Sequence, residues 1–220
     1  MTTPRTHRPS TAGVPALLAA CLATAVAGCA ILGGEKSPVT VYAPEPRVPA
    51  DPAWPQADWQ LAIARPQATR MLDGLRIAVR PTPGELQVYK GASWAKSPGE
   101  QLEDAILRTL EDSGKLRAVA RQGSGIAADC TLLTDLRHYE AVYAGGAVPS
   151  AVIELNAKLL STDDQVSASR TFHEEAPAAT AATADVAAAF GQALARVTAD
   201  VSGWTLAAGA QTCHAAKTGR

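Results

Sequence analysis

Ala151-Val152-Ile153-Glu154-Leu155-Asn156-Ala157-Lys158-Leu159 alternates for nine residues, with Glu154, Asn156 and Lys158 on one side and apolar residues on the other. A period of two puts successive side chains on opposite faces, so this is a strand with one face buried and one wet. Ser161 to Gln165 reads as a turn, and Ser167 to His173 as the returning strand. Upstream, Asp129 to Tyr143 contains Cys130-Thr131-Leu132-Leu133-Thr134-Asp135-Leu136 and ends at Gly145-Gly146. The three segments together predict an antiparallel meander.

Working outward, shorter strand patterns precede the meander. Trp59, Leu61 and Ile63 share a face, as do Leu75, Ile77 and Val79 with Arg76 and Arg80 opposite. Both are expected to be half-buried. Leu86 to Tyr89 is a third run leading through Gly91 to Trp94, and Leu116 to Ala120 is a fourth. Between them, Ser97-Pro98-Gly99-Glu100 has the residues of a capping box with proline at the first helical position. Leu102, Ala105, Ile106 and Leu110 form the helix's apolar stripe, and Ser113-Gly114 ends it. A second helix opens at Thr180 or Thr183, with Val186, Phe190, Ala193, Val197, Val201 and Trp204 at spacings of three and four. The expected class is α+β: a single domain with a mixed/antiparallel sheet and two main helices packed on one face.

The N-terminus carries Arg5 and Arg8, then an apolar run from Val14 to Ala27, then Ala27-Gly28-Cys29. A positive flank, a short apolar stretch and small residues before a cut site make a signal peptide, 1–28. The cysteine directly after Ala-Gly resembles the bacterial lipobox. That resemblance implies acylation of the Cys29 thiol, cleavage before it and acylation of the new amino group. Several acyl chains hold a protein on a bilayer stably. Ala30, rather than Asp, follows the cysteine; by analogy with known lipoproteins this favours the outer membrane, facing the periplasm. Residues 29–58 hold Gly33-Gly34 and a series of prolines up to Pro55, and read as an extended tether. Within them, Val39-Thr40-Val41-Tyr42 is strand-like and a candidate to pair with the sheet. The folded domain is expected over 59–206, and 207–220 as a flexible tail.

Composition narrows the function. The formal net charge is −1, with no basic stripe to bind nucleic acid. His138, His173 and His214 show no metal-ligand spacing, and Cys213-His214 lacks two further ligands. Asp135 with His138, or His173 with Glu174, lie on solvent-facing strand positions, where polar residues need no catalytic explanation. Gly123-Ser124-Gly125 lacks the lysine and helix of a phosphate loop. Neither a cofactor, a metal nor an enzymatic centre is expected. Cys130 and Cys213 could pair in an oxidising compartment, or could be a buried thiol and a free one; sequence leaves both open. Trp94 is either a core tryptophan sealing the sheet edge or an exposed aromatic contact for a partner.

The order of these motifs resembles the ABC-type transport auxiliary lipoprotein family. The residues that carry it are Leu75-Arg76-Ile77-Ala78-Val79, Tyr89 leading to Trp94-Ala95, and the capped helix with Leu102 and Leu110. Ala128-Asp129-Cys130-Thr131-Leu132, Arg170-Thr171-Phe172 and the Ala-rich helix to Trp204 follow. The resemblance spans about Val39 to Trp204, and the segment beyond it, with Cys213, departs from the family pattern. It implies a lipoprotein partner of an MCE-domain protein and its ABC transporter, moving phospholipid or other hydrophobic molecules across the envelope, as in the paraquat-inducible system. Only Cys29 carries over as a functional position. The competing reading is a structural lipoprotein assisting an outer-membrane barrel or polysaccharide export.

Overall fold

A 13-residue strand, β7 (Cys130–Val142), organises the molecule in the computed structural model, which describes Thr2 and residues 38–217. Apart from Thr2, the expected signal peptide lies outside the described residues, as do Cys29 and the first part of the expected tether. Along one side β7 pairs antiparallel with β8 (Ser150–Leu160), which pairs antiparallel with β9 (Val166–Pro177). This is the expected meander. Along its other side, three short strands lie end to end, all parallel to it. They are β2 (Gln60–Ile63), β3 (Gln67–Ala68) and β4 (Arg76–Arg80). β6 (Ala118–Arg121) joins β2 in parallel. β5 (Gln87–Trp94) pairs antiparallel with β4, and β1 (Thr40–Tyr42) closes that edge parallel to β5. The result is a mixed, open nine-stranded sheet.

Pairing between β4 and β5 shifts register between Arg76 and Ala78. Gly91 in this bulge has φ 68°, a conformation glycine adopts without steric cost. The bulge lets one strand run from Gln87 through Trp94, where sequence suggested a weaker, shorter run.

Two helices cover one face. α1 (Pro98–Ser113) has its predicted capping box: Ser97 Oγ accepts from the Glu100 N–H, and the Glu100 carboxylate accepts from the Ser97 N–H. Hydrogen bonds from Ser97 hold the Glu100 carboxyl below the usual carboxylate range. Gly114 ends the helix with φ 60° in the left-handed region. α2 (Thr183–Lys217) is 35 residues long. Leu102, Ile106 and Leu110 of α1 and Val186, Phe190, Val197 and Val201 of α2 meet Leu132, Leu136, Ile153, Leu155 and Leu159 of the sheet in one core.

Three expectations change. First, β2 and β4 are buried on both faces at their centres, where Ala62 and Ala78 on the second face are 6% and 2% exposed, while Arg76 on that face of β4 stays exposed as expected. Each strand has strands on both sides, so a short alanine side chain lies below its longer neighbours. Second, the Pro-rich segment is not a free tether over its whole length. From Val39 onward it belongs to the domain's compact unit, Val39–Arg220, β1 joins the sheet, and the residues after β1 lie on both helices. Third, the region after 206 is not a loose tail. α2 continues to Lys217, Leu206 and Cys213 are fully buried, and Gly209 packs on Trp59.

Candidate functional site

The segment from Ala43 to Asp58 forms a strap across the helix pair. Its prolines favour extended backbone without internal hydrogen bonds, so it can lie flat over side chains. Pro44 touches α2 at Gly191. Glu45 faces Arg108 of α1 at 4.0 Å. Asp51 makes a tight turn, its carboxylate accepting from Ala53 N–H at 2.8 Å and its carbonyl from Trp54 N–H at 3.0 Å. Trp54 then lies on Gly203, where an added Cβ would fall 2.6 Å from the indole Nε1. Ala57 N–H donates to the Lys115 carbonyl and Gln56 Nε2 to the Gly114 carbonyl, fastening the strap to the end of α1.

Gly191, Ala195, Ala199 and Gly203 repeat every four residues, so they form one small-residue ridge along α2. The strap touches the two ends of that ridge and arches over its middle. There it encloses an open cleft of about 610 Å³ with Val48, Pro49, Trp54, Ala195 and Ala199 in its walls and Arg196 at its rim.

Under the sheet the aromatic side chains gather. Trp94 of β5, Tyr139 of β7 and Phe190 of α2 make a cluster: Tyr139 stacks on Phe190 at 4.8 Å, and Trp94 meets both edge-on at 6.0 and 5.2 Å. Tyr139 Oη donates to Gln101 Oε1 at 2.9 Å, and Gln101 Nε2 donates to the Lys96 carbonyl at 2.7 Å, tying the cluster to α1. Burial pushes the Tyr139 phenol far above its ordinary range. Trp94 is 1% exposed, so the partner-contact reading of this residue is overturned; the core reading describes it. Its ring points to the helix-covered face, where Phe190 and Tyr139 leave it no path to solvent.

Cys130 and Cys213 are joined in a disulfide that links the start of β7 to the end of α2 across 83 positions. Cys29 lies outside the described residues. The residues weighed as acid/base pairs do not converge as pairs. His138 Nδ1 is 2.8 Å from Glu140 Oε1, and His173 Nδ1 is 3.2 Å from Glu154 Oε2; Asp135 faces Arg137. All of these lie on the uncovered sheet face, each histidine bonded to a carboxylate across or along the strands. Among the described residues, no three His, Cys, Asp or Glu side chains converge as a metal site. No helix of these residues is long and apolar enough to cross a membrane.

What sequence reasoning missed is the strap and the Arg80–Glu140–His138 cluster. Arg80 Nε and Nη2 donate to Glu140 Oε1 at 3.2 and 2.8 Å, and the Tyr139 N–H donates to Oε2 at 3.0 Å. Arg80 and Glu140 are 60 positions apart, so only the parallel pairing of β4 with β7 brings them together. The one available signal for the strap was the four-residue spacing of small residues on α2, which marks a face made for close approach.

A mixed sheet with two helices on one face, a disulfide-held terminal helix and a polar second face defines a small α+β domain. The chain belongs to the family of ABC-type transport auxiliary lipoprotein components, whose model matches residues 40–202. It is similar to protein XCC0632 from Xanthomonas campestris, of the DUF330 family, with 53% identity, TM-score 0.77, and coverage of 80% of this chain and 99% of that one. The fold also resembles an uncharacterized protein at 18% identity and TM-score 0.57, covering 71% and 97% of the two chains. A PelC dodecamer from Paraburkholderia phytofirmans follows at 13% identity and TM-score 0.41, covering 71% and 95%. No match was found among curated proteins. Family membership gives the coarse function, an auxiliary component of ABC-type transport, and places the chain among membrane-anchored lipoproteins of the cell envelope.

Proposed function

We propose that the chain is acylated at Cys29 and serves, on the periplasmic side of the outer membrane, as a non-enzymatic subunit of an MCE/ABC-type system that moves phospholipid or other hydrophobic molecules. The observation that carries this is the combination of a family match spanning the folded domain with a lipobox-like cysteine ten residues upstream of it. Such a subunit needs an anchor, a rigid body and a surface for its partner. Cys29 supplies the anchor. The disulfide fixes the end of the terminal helix to the sheet, and the strap fastens the segment after β1 to the helix pair. The uncovered face of β7, β8 and β9, and the outer edge of β9, supply polar side chains and backbone groups to a protein partner, by surface contact or strand addition. Nδ1 of His138 and Nδ1 of His173 each lie against a carboxylate, which orients the two rings on that face.

The test is an in-cell crosslink of the acylated protein, with membrane fractionation and mass spectrometry. An MCE-domain protein in the crosslinked band, from an outer-membrane fraction, is the expected result. A β-barrel partner instead would move the protein to outer-membrane assembly. A Cys29→Ala variant that keeps full function with no partner would overturn both.

A further inference from the structure

β9 is an open edge of the sheet: among the described residues it pairs with β8 and with no other strand. Parity fixes which backbone groups this leaves outward. Ala178 N–H donates to the Pro149 carbonyl at 3.0 Å, so from Ala168 to Ala176 the even-numbered residues turn their N–H and C=O groups to β8. Ser169, Thr171, His173 and Glu175 turn theirs away from it. Arg196 of α2 agrees with this phase: its Nη2 donates to the outward Glu175 carbonyl at 2.7 Å and closes the row at that end. Natural sheets guard such an edge with lysine, an internal proline or a bulge. β9 has no lysine, its proline is its last residue, and its register is regular from Ala168 to Pro177.

The side chains say what fits there. On the helix-covered face, alternate residues of β9 read Ala168, Arg170, Phe172, Glu174 and Ala176. The order is self-complementary. A second β9, antiparallel about a two-fold axis at Phe172, sets alanine against alanine, Phe172 against Phe172 and each Arg170 against Glu174 of the second copy. Arg170 is available: its guanidinium lies over the Phe172 ring at 5.0 Å and has no carboxylate partner among the described residues. Arg196 Nε donates to Oε2 of Glu174 at 2.9 Å and leaves its other oxygen for a second cation. In this register Thr171 and His173 of the two copies, whose N–H and C=O groups both point outward, become a hydrogen-bonded pair. A shift of two residues one way sets Arg170 against Phe172 and Glu174 against Ala168; the other way sets Phe172 against Glu174. Neither pairs the charges.

We infer that the β9 edge is a docking site for a second copy of this chain, joined antiparallel through β9 into one continuous sheet with Phe172 at the two-fold axis. Such an interface is closed, so it covers both open edges and recruits no third copy there. The axis is normal to the sheet. Both helix layers therefore lie on one side, and the two uncovered faces merge on the other. A transport partner is left a polar face of doubled width, and the pairing does not depend on acylation at Cys29.

The test uses the full chain in cell membranes. Ser169→Cys with Glu175→Cys places two thiols opposite each other across the axis, at the roughly 5.5 Å Cα spacing of a hydrogen-bonded antiparallel pair, within disulfide reach. Within one chain they are about 20 Å apart on an extended strand, so a chain cannot link to itself. After mild oxidation, a non-reducing gel is expected to show a two-copy band several-fold stronger than with either cysteine alone or with the wild-type chain. The wild type controls for Cys29, and Cys130 and Cys213 are already joined. Arg170→Glu in the two-cysteine background should weaken the band several-fold, and so should Glu174→Arg. Coexpressing these two variants should restore it, because each new charge then faces its opposite; chains that failed to fold would give no such rescue. No two-copy band above the single-cysteine level, a band that neither charge change weakens, or no rescue on coexpression would overturn the inference. Thiols that link instead to a different protein would also overturn it, and would give the β9 edge to a strand of the transport partner.

Discussion

Glu140 lies on the sheet face that no helix covers, yet it is 2% exposed. An unpaired carboxylate so deeply placed would be costly. Burial, the largest single influence, pushes its carboxyl up. Hydrogen bonds from His138, Arg80 and the Tyr139 N–H outweigh it and hold the group below the usual carboxylate range. The folded value is therefore lower than the unfolded one. The stabilisation is complete above the ordinary carboxylate range and is lost as pH falls through the depressed folded value. Glu140→Gln keeps the shape and removes the charge. The variant is expected to be less stable at neutral pH by about 1–3 kcal/mol, the scale for a buried charged hydrogen-bonded group. Denaturant unfolding of both proteins from neutral pH into acid should show the gap closing once wild-type Glu140 takes up its proton. A gap of constant size across that range would mean that the amide and carboxylate differ only in packing.

At the scale of elements, α2 carries the main contrast between sequence and structure. Its first half was legible, because Val186, Phe190, Val197 and Val201 repeat at helical spacing and all are fully buried. Its second half was not, because Gly209 resembles a helix stop. The glycine is there for another reason: an added Cβ would fall 2.6 Å from Cη2 of the buried Trp59, so the helix needs a notch at that point. The Cys130–Cys213 link was undecidable for a similar reason, since a Cα separation of 5.9 Å is a property of the packed sheet and helix and leaves no local trace. Local signals such as the Ser97–Glu100 box and the Ala151–Leu159 alternation were readable because their partners are near neighbours or their period is intrinsic. The Trp94 alternatives differed only in what lay above the ring, which is decided by Phe190 nearly a hundred positions away. The disulfide also sets a prediction. Cross-linking across 83 positions restricts the unfolded chain, and its removal by Cys130→Ala with Cys213→Ala should cost about 2–4 kcal/mol. Hydrogen exchange should rise over the last turns of α2 more than over its first half. Unchanged protection there would mean that the Trp59 notch alone holds the helix end.

For the whole molecule, the two ends of the domain are fastened in different ways. The C-terminal helix is fixed from below, by Trp59 and a covalent bond. The N-terminal strap is fixed from above, by Pro44 at Gly191, Glu45 near Arg108 and Trp54 at Gly203. Trp54 is only half-buried, so the strap can lift locally without opening the core, whereas Trp59 cannot move without disturbing it. The strap joins β1, the first strand of the domain, to the helix pair. Gly203→Leu fills the seat of the Trp54 indole and separates the two events. Global stability is expected to fall by less than the 1–3 kcal/mol typical of overpacking in a core, because the displaced ring escapes to solvent. Trp54 emission should shift to the red, and residues 43–56 should become susceptible to proteolysis while β7 and β8 keep their exchange protection. Loss of sheet protection along with the strap would instead make residues 43–56 part of the folding core. The strap would then be a structural layer of the domain, with no freedom to transmit changes at the anchor.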